Sequence, residues 1–349
     1  TIFGEISIPA PYFRNRETKE TARPMVRDVG LSPRGKTPKV LRVLTDFGAE
    51  ESFGQASQRF EEHYGFAVGR TSILRLVETE AARAETYVAM RLKQATGDYD
   101  QPLGKRPGIA DLLVELDGCE IRTGTFHPTP GEARSPVRKL PKRHRKTQWR
   151  DVRIGFARPL QTLERTFVGR MDKYPAVVSQ LFAAACDRGL SARTKVSAVI
   201  DGGQGLREEL DAQFTGLNVI LDRPHLKQHL YEAAEAQGFK TTAAKTAWVS
   251  PILNALDAGK ADAVLAKLAE HKGRGKQRVL RLAKHLQRFS DAMHYQAIRD
   301  AGLPQGDGEV ESAHRYIPQK RLKLPGAWWR PDHVNPMLSL RIIRANGWW

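Results

Sequence analysis

The sequence predicts a mixed α/β protein, and three observations carry that expectation. Apolar residues recur at helical spacing through residues 36–90. Alternating strand patterns follow, first as hairpins and then in turn with helices, and the stretch 239–304 reads as helix alone. The 349 residues suffice for two or three domains with real cores. The expected organisation is a short strand-and-loop segment at 1–35, a helical region at 36–90, a linker at 91–109, the first part of an α/β core at 110–238, a helical insertion at 239–304, and C-terminal helices completing the core at 305–349.

Residues 2–8 read as a short strand or two, followed by a polar loop punctuated by Pro24 and Pro33. From Thr37 the pattern turns helical, with Val40, Leu41, Val43 and Leu44 as an apolar stripe closed by Gly48. A second helix fits 51–64, with Phe53, Ala56 and Phe60 on one face and Gly65 as its breaker. After a turn through Val68 and Gly69, Thr71 and Ser72 are placed to cap a third helix over 73–85. Three short helices with a tight turn before the last form the helix-turn-helix pattern of DNA-binding proteins. Arg70, Thr71, Ser72 and Arg75 would then face the major groove, and an ordinary helical bundle is the alternative.

Residues 90–108 have the Gly/Pro composition of a linker. Strands are expected at 110–116, 120–126 and 152–157, with 163–168 extending the third, and the basic stretch 128–150 as a loop before it. A helix at 174–189 leads to a β-branched strand at 196–200, closed by Asp201, Gly202 and Gly203. A helix at 206–214, a strand at 219–221 and a helix at 224–236 follow. Everything from 241 to about 301 is helix-like, and 309–323 and 333–344 supply two more helices.

Fifty-six Lys+Arg against 39 Asp+Glu leave a net charge of +17, which predicts attraction to polyanions. The excess is clustered. Arg138, Lys139, Lys142, Arg143, Arg145 and Lys146 belong to a run over 134–153, and Lys272, Arg274 and Lys276 open another over 272–288. Like charges at this density repel unless phosphates neutralise them, although two solvated surfaces would also account for them. No apolar run reaches the ~18 residues of a bilayer span, so a membrane protein is excluded. Pro136 and Pro141 exclude a long membrane-surface helix in the first run. Two cysteines, Cys119 and Cys186, exclude a disulfide framework and a four-cysteine zinc site, and fit a reducing compartment.

Acids sit at the expected strand ends: Asp117, Asp201 and Asp222, with Glu311 opening a late helix. Carboxylates at strand C-termini converge on one sheet edge, where ligands bind. Two or three such oxygen donors can hold a pair of Mg²⁺ ions on an in-line phosphodiester displacement. Each acid also has a structural reading. Asp117-Gly118 has the form of a type I′ hairpin turn. Asp201-Gly202-Gly203 could be a strand-to-helix turn or a phosphate-cradling loop, and Asp222 an N-cap ahead of Pro224. Glu311 could be a capping glutamate or a partner of Arg315. Glu115, two residues before Asp117, shares its face as a spare candidate. His225 and His229 have zinc-chelating i,i+4 spacing, but no third ligand is evident.

The order of these motifs resembles the DDE transposases of bacterial insertion sequences. It comprises Glu-Leu-Asp-Gly at 115–118, Ala-Val-Ile-Asp-Gly-Gly at 198–203, Leu-Asp-Arg-Pro-His at 221–225, a helical block and a glutamate helix. The stretch with Gly-Asp-Gly-Glu-Val-Glu-Ser-Ala-His-Arg at 306–315, Gln-Lys-Arg-Leu-Lys at 319–323 and Gly-Ala-Trp-Trp at 326–329 resembles the ISKra-type group, relatives of the Mutator-like and hAT transposases. The resemblance implies a ribonuclease H-like mixed-sheet catalytic core interrupted by an all-helical insertion. It matches Asp117 and Asp201 to the first and second catalytic aspartates and Glu311 to the glutamate, all three holding Mg²⁺, for which Mn²⁺ is an expected substitute. No organic cofactor is implied.

Asp222 and His225 match the family's D-x-x-H motif, read as organising the site or contacting DNA. An alternative takes Asp222 as the second catalytic acid. Glu309 lies about 200° around the helix from Glu311 and is the poorer match. Two departures stand out: residues 14–20 lack the cysteines of the zinc-ribbon-like segment that members often carry, and Asp307 replaces a usual small residue.

The implied activity is cleavage at insertion-sequence ends and strand transfer into target DNA. The expected partners are double-stranded terminal repeats, target DNA and at least a second copy of the chain, with no membrane. Arg315 and Arg321 join the basic residues named above as expected DNA contacts. The expected location is the bacterial cytoplasm, with the nucleoid. A nuclease without strand transfer, and a DNA-binding regulator or inactive relic, are the alternatives.

Overall fold

The computed structural model describes residues 1–31, 35–97, 103, 107–128 and 143–349. Its contacts divide it into two units, one of Thr1–Val88, Ile121–Arg150 and Tyr316–Trp349, the other of Ala89–Glu120 and Asp151–Arg315. Among the described residues, no helix is long and apolar enough to cross a membrane.

In the first unit, no strand forms over 2–8. A two-residue hairpin joins β1 (Phe13–Arg14) and β2 (Thr21–Ala22) instead. Asn15 sets it, because its side-chain oxygen accepts from the amides of Glu17 and Thr18 and closes the turn locally. The segment that lacks zinc-binding cysteines is this turn. After α1 (Pro24–Asp28) come α2 (Pro38–Glu50) and α3 (Phe53–Tyr64). Ser52 and Gln55 form a reciprocal capping box at the start of α3, and Gly65, at φ +73°, ends it in the left-handed conformation that favours glycine.

The third helix is not capped by Thr71 and Ser72. It starts at Arg70, with the Gly69 carbonyl accepting from the amides of Ser72 and Ile73, and runs as α4 to Thr96. Its length follows from a buried stripe, Ile73, Val77, Ala81, Ala84, Val88 and Leu92, which keeps one helical face apolar well past residue 85. The helix thus covers the first residues of the expected linker.

The main sheet has the order β5-β4-β3-β6-β7. These strands are β3 (Asp111–Pro128), β4 (Arg143–Pro159), β5 (Thr166–Arg170), β6 (Lys195–Ile200) and β7 (Asn218–Leu221). Strand β4 pairs antiparallel with β5, whereas β6 is parallel to both β3 and β7. Three strands placed next to one another in chain order, followed by two parallel strands on the other side of β3, are consistent with the implied ribonuclease H-like core.

Two expectations are corrected here. The strands expected at 110–116 and 120–126 are one strand. Asp117-Gly118 is not a hairpin turn, because both residues are extended within one strand that runs on to Pro128. Tertiary pairing along β4 overrides the local turn signal. The stretch 128–150 is likewise not all loop, since β4 already begins at Arg143. The run's basic residues before it, Arg134, Arg138, Lys139 and Lys142, lie outside the described residues.

Helices α5 (Tyr174–Asp187), α6 (Leu206–Gln213) and α7 (Arg223–Ala236) alternate with the parallel strands. The helical block follows as α8 (Thr242–Asp257), α9 (Ala261–Ala269), α10 (Lys276–Gln287) and α11 (Tyr295–Asp300). It packs on α7 through α8 and α10. Tyr295, fully buried, donates its hydroxyl to the Leu221 carbonyl at 2.9 Å, which ties the end of the block to the end of β7. The chain then enters α12 (Gly308–His314), whose continuation is a π-helical turn Arg315–Gln319, a short α13 (Lys320–Leu322) and α14 (Pro331–Ala345).

Candidate metal centre

Register brings the acids together. Ile200 pairs with Leu221, so Asp201 and Asp222 are the next residues out of β6 and β7 at one end of the sheet. Glu115 pairs with Val199, and the same parallel register continued by two residues sets Asp117 level with Asp201. Asp117 therefore reaches this edge although its own strand does not end there. The turn after β6 needs glycine: Gly202 has φ +82°, and a Cβ on it would lie 3.0 Å from His285 and Leu221. The Gly203 amide donates to Asp201 Oδ1 at 2.7 Å, which fixes that carboxylate and leaves Oδ2 to the site.

Asp222 is fully buried and both its oxygens are used. Oδ2 accepts from the His225 amide and lies 2.6 Å from His225 Nδ1, so the residue is the N-cap of α7. Oδ1 accepts from the Asp307 amide at 3.1 Å, which pins the start of α12.

Two further contacts set α12 on β3. Glu115 Oε2 accepts from the Val310 amide at 2.9 Å, and His314 Nε2 lies 3.3 Å from Asp117 Oδ2. Val310 and His314 are about one helical turn apart, ~6 Å along the axis, which matches the ~6.6 Å between alternate residues of a strand. Glu309 is engaged elsewhere: Arg158 and Arg165 both bond its carboxylate, at 2.6 and 2.5 Å. Glu311 is exposed on the same helix.

Asp222, His225 and Asp307 bring their ligand atoms within 4.8 Å of one another. Asp117, Asp201 and Glu311 are not drawn into a group that tight. They do share one electrostatic environment. Burial first, and then the charges of Asp222, Asp117 and Glu311, push the Asp307 carboxyl up to about 7 against the pull of His225. Burial pushes Glu115 up to about 8, with Glu309 and Asp307 adding to it while the Val310 amide opposes. The hydrogen bond to Asp222 raises His225 to about 9, helped by the charges of Asp222, Asp307 and Asp201 and opposed by burial. At neutral pH His225 is therefore an imidazolium, so the tight group is a hydrogen-bonded ion pair. His314 rises to about 9 because Asp117 and Cys119 outweigh its burial. Neither of its ring nitrogens has an aligned hydrogen bond, so its tie to Asp117 is an ion pair across 3.3 Å.

These four shifts have one sign. Each group binds its proton more tightly in the folded chain than at its ordinary value of 3.8 to 6.5. Their stabilising contributions are complete below the ordinary values and vanish as pH rises through the folded ones. The urea midpoint of the metal-free protein should therefore fall steadily between pH 5 and about 9.5. A midpoint that is flat or rising over that window would contradict the arrangement.

His225 and His229 do not act as a pair. His229 sits by Glu232 at 3.5 Å and faces the His285 ring at 5.9 Å between centroids. Burial and the charge of His229 lower His285. Of the expected DNA contacts, Arg70, Thr71 and Arg75 are exposed at the start of α4, and Ser72 is half-buried there. Arg145, Lys146, Lys272, Arg274, Lys276 and Arg315 are also exposed. Arg143 lies within β4, whereas Arg138, Lys139 and Lys142 lie outside the described residues.

Arg321 is a correction. It is 3 % exposed, donates to the Gly48 carbonyl at 2.9 Å, and lies between the rings of Phe53 and Trp329, so it holds packed helices and cannot reach a phosphate. Asp307, which looked in the sequence like a stray departure, is a buried member of the site. His314 gave no signal beyond lying one turn from Glu311.

No protein-family model and no curated protein matches the chain. Among solved structures, the Drosophila P element transposase strand transfer complex is similar to it, at 10% identity and a TM-score of 0.38, over 92% of this chain and 95% of that one. A likeness of that size assigns nothing to individual residues.

Proposed function

We propose that the chain is a metal-dependent enzyme of DNA transposition, a DDE-type transposase of the ISKra-type group that cuts at the ends of its insertion sequence and joins them to target DNA. One observation carries the reading. In a chain of net charge +17, five carboxylates, those of Asp117, Asp201, Asp222, Asp307 and Glu311, gather towards one sheet edge, and among the described residues only the imidazoles of His225 and His314, with no arginine or lysine, pair with any of them. Glu309, on the same helix, takes two arginines. Acids that outnumber their two histidine partners fit a divalent cation as the further counter-charge.

The donor set suits Mg²⁺ or Mn²⁺. Asp117, Asp201 and Glu311 offer hard oxygens and reach solvent, whereas Asp222 has no oxygen to spare. A two-ion site spreads its carboxylates further apart than a single-ion cage does, since the ions stand ~3.5–4 Å from each other. Bound there, such ions supply Lewis-acid stabilisation and a nucleophilic oxygen at neutral pH. The protein residues do the rest. Asp222 and Glu115 hold α12, and with it Glu311, against the sheet. Gly203 orients Asp201. His225, with Nδ1 on Asp222, presents Nε2 to a phosphate oxygen. The exposed residues at the start of α4 and the basic surfaces would hold duplex DNA, with steep salt dependence.

A cleavage-and-joining assay tests this on labelled duplexes taken from the DNA flanking the gene, with Mg²⁺, Mn²⁺ or EDTA. Metal-dependent nicks at one fixed position together with joined products are expected. Nicks without joining would leave a nuclease, and binding without nicks a regulator or an inactive copy.

A further inference from the structure

The far part of the β3–β4 hairpin carries a face that the cleavage reading does not use. A Cβ on Gly124 would lie 2.9 Å from the Trp328 ring and 3.3 Å from Thr147 Cγ2, so Gly124, Thr147 and Trp328 share one side of the hairpin. Alternation along the strands sets Phe126 on that side from β3, and Arg145 and Trp149 from β4. The contacts agree: Phe126 meets the Trp328 ring edge-on at 5.4 Å, and the Arg145 guanidinium lies 5.0 Å over it. On the opposite side Ile121 and Thr123 are buried, whereas Thr125 and His127 beyond them are exposed. Phe126 is 53% and Trp149 59% exposed. Exposed rings beside an arginine offer stacking and cation–π faces to a ligand.

We propose that this face is a stacking platform for the unpaired bases of a DNA strand, with Phe126 and Trp149 supplying the rings and Arg145 the phosphate contact. Aromatic rings interleaved with cations suit single strands, because every base has a π-face while the backbone is uniformly anionic. A second copy of the chain is a poor occupant, since it would bring another strongly basic protein against a basic face. An anionic membrane is also disfavoured. The Trp328 ring packs over Gly124 and Thr147 at the centre of the face, and no aliphatic side chain beside it enters the acyl region. The proposal extends the phosphate-holding role of this stretch to base contact and does not depend on the acidic centre.

The test is fluorescence anisotropy in EDTA at fixed salt, with the full chain and two DNA probes, an oligo(dT) and a blunt duplex, each of about 20 nucleotides per strand, beside an oligo(rU) of the same length and a flotation assay on anionic vesicles. Trp149→Ala and Phe126→Ala should each weaken oligo(dT) binding about tenfold or more. Duplex binding should stay within about twofold, and Trp149→Phe should keep most of the affinity. Both positions are exposed, so an unchanged melting temperature is expected, and quenching of wild-type tryptophan emission by oligo(dT) provides a check without any substitution. Equal losses on both probes, no loss on either, tighter binding of oligo(rU) than oligo(dT), or a loss confined to anionic vesicles would each overturn it. Because EDTA is present throughout, a failed cleavage reading and a failed stacking platform give separate results.

Discussion

Asp201→Asn should lower metal-dependent cleavage by about three orders of magnitude, ~4 kcal/mol of transition-state stabilisation, while leaving the melting temperature unchanged. The asymmetry follows from what each oxygen does. Oδ1 accepts from the Gly203 amide, and an asparagine oxygen accepts that bond equally well. Oδ2, which accepts no hydrogen bond from the described residues, becomes an amide that cannot ligate a hard cation.

Asp222→Asn should behave in the opposite way. Its two oxygens accept from His225 and from the Asp307 amide in full burial, so an amide NH₂ in either position meets a donor. Leaving such a buried group mispaired costs about 1–3 kcal/mol, more when charge is involved, and the melting temperature should fall. Measuring turnover and melting on both variants separates the roles. If Asp201→Asn cleaves normally while Asp222→Asn is stable and inactive, the second metal-holding aspartate is Asp222.

Much of this was legible in the sequence because it depends on local pattern. The β-branched run before Asp201, the Pro224 that follows an N-capping Asp222, and the Ser52/Gln55 box all declare their elements from neighbouring residues alone. The long helical gap before Glu311 was equally plain.

What failed depends on distant partners. Asp117-Gly118 has the chemistry of a tight turn and is nonetheless extended, because β4 continues the ladder past it. Arg321 sits in a basic motif and is nonetheless buried, because Gly48, Phe53 and Trp329 come to it from elsewhere in the chain. Asp307 and Glu115 reveal their place only once Asp222 and Val310 are in contact with them. A buried polar group is invisible to periodicity, since its burial is a property of the partner.

The position of Glu311 rests also on an ion pair between buried Arg158 and half-buried Glu309, and this gives the largest stability effect. Arg158 is 6% exposed and donates to the carbonyls of Pro159, Leu160 and Thr162 as well as to Glu309. Arg158→Ala removes a donor from three carbonyls at once and leaves Glu309 with Arg165 alone. Losing the three carbonyl bonds together with one partner of this half-buried pair costs about 3–5 kcal/mol. Arg158→Lys should recover only part of this, because an ammonium cannot reproduce the planar fork.

The cleavage rate should fall together with stability, since α12 carries Glu309 and Glu311 on the same seven residues. The double replacement Arg158→Met with Glu309→Leu separates charge from packing. If the pair acts by compensating a buried charge, the apolar double variant should regain most of the lost stability in urea unfolding. If it acts instead by orienting α12, stability should return while cleavage stays low, because the fork that fixes the helix on β4 is gone. A double variant as unstable as Arg158→Ala would show that the three carbonyl bonds, and not the ion pair, hold this corner of the sheet.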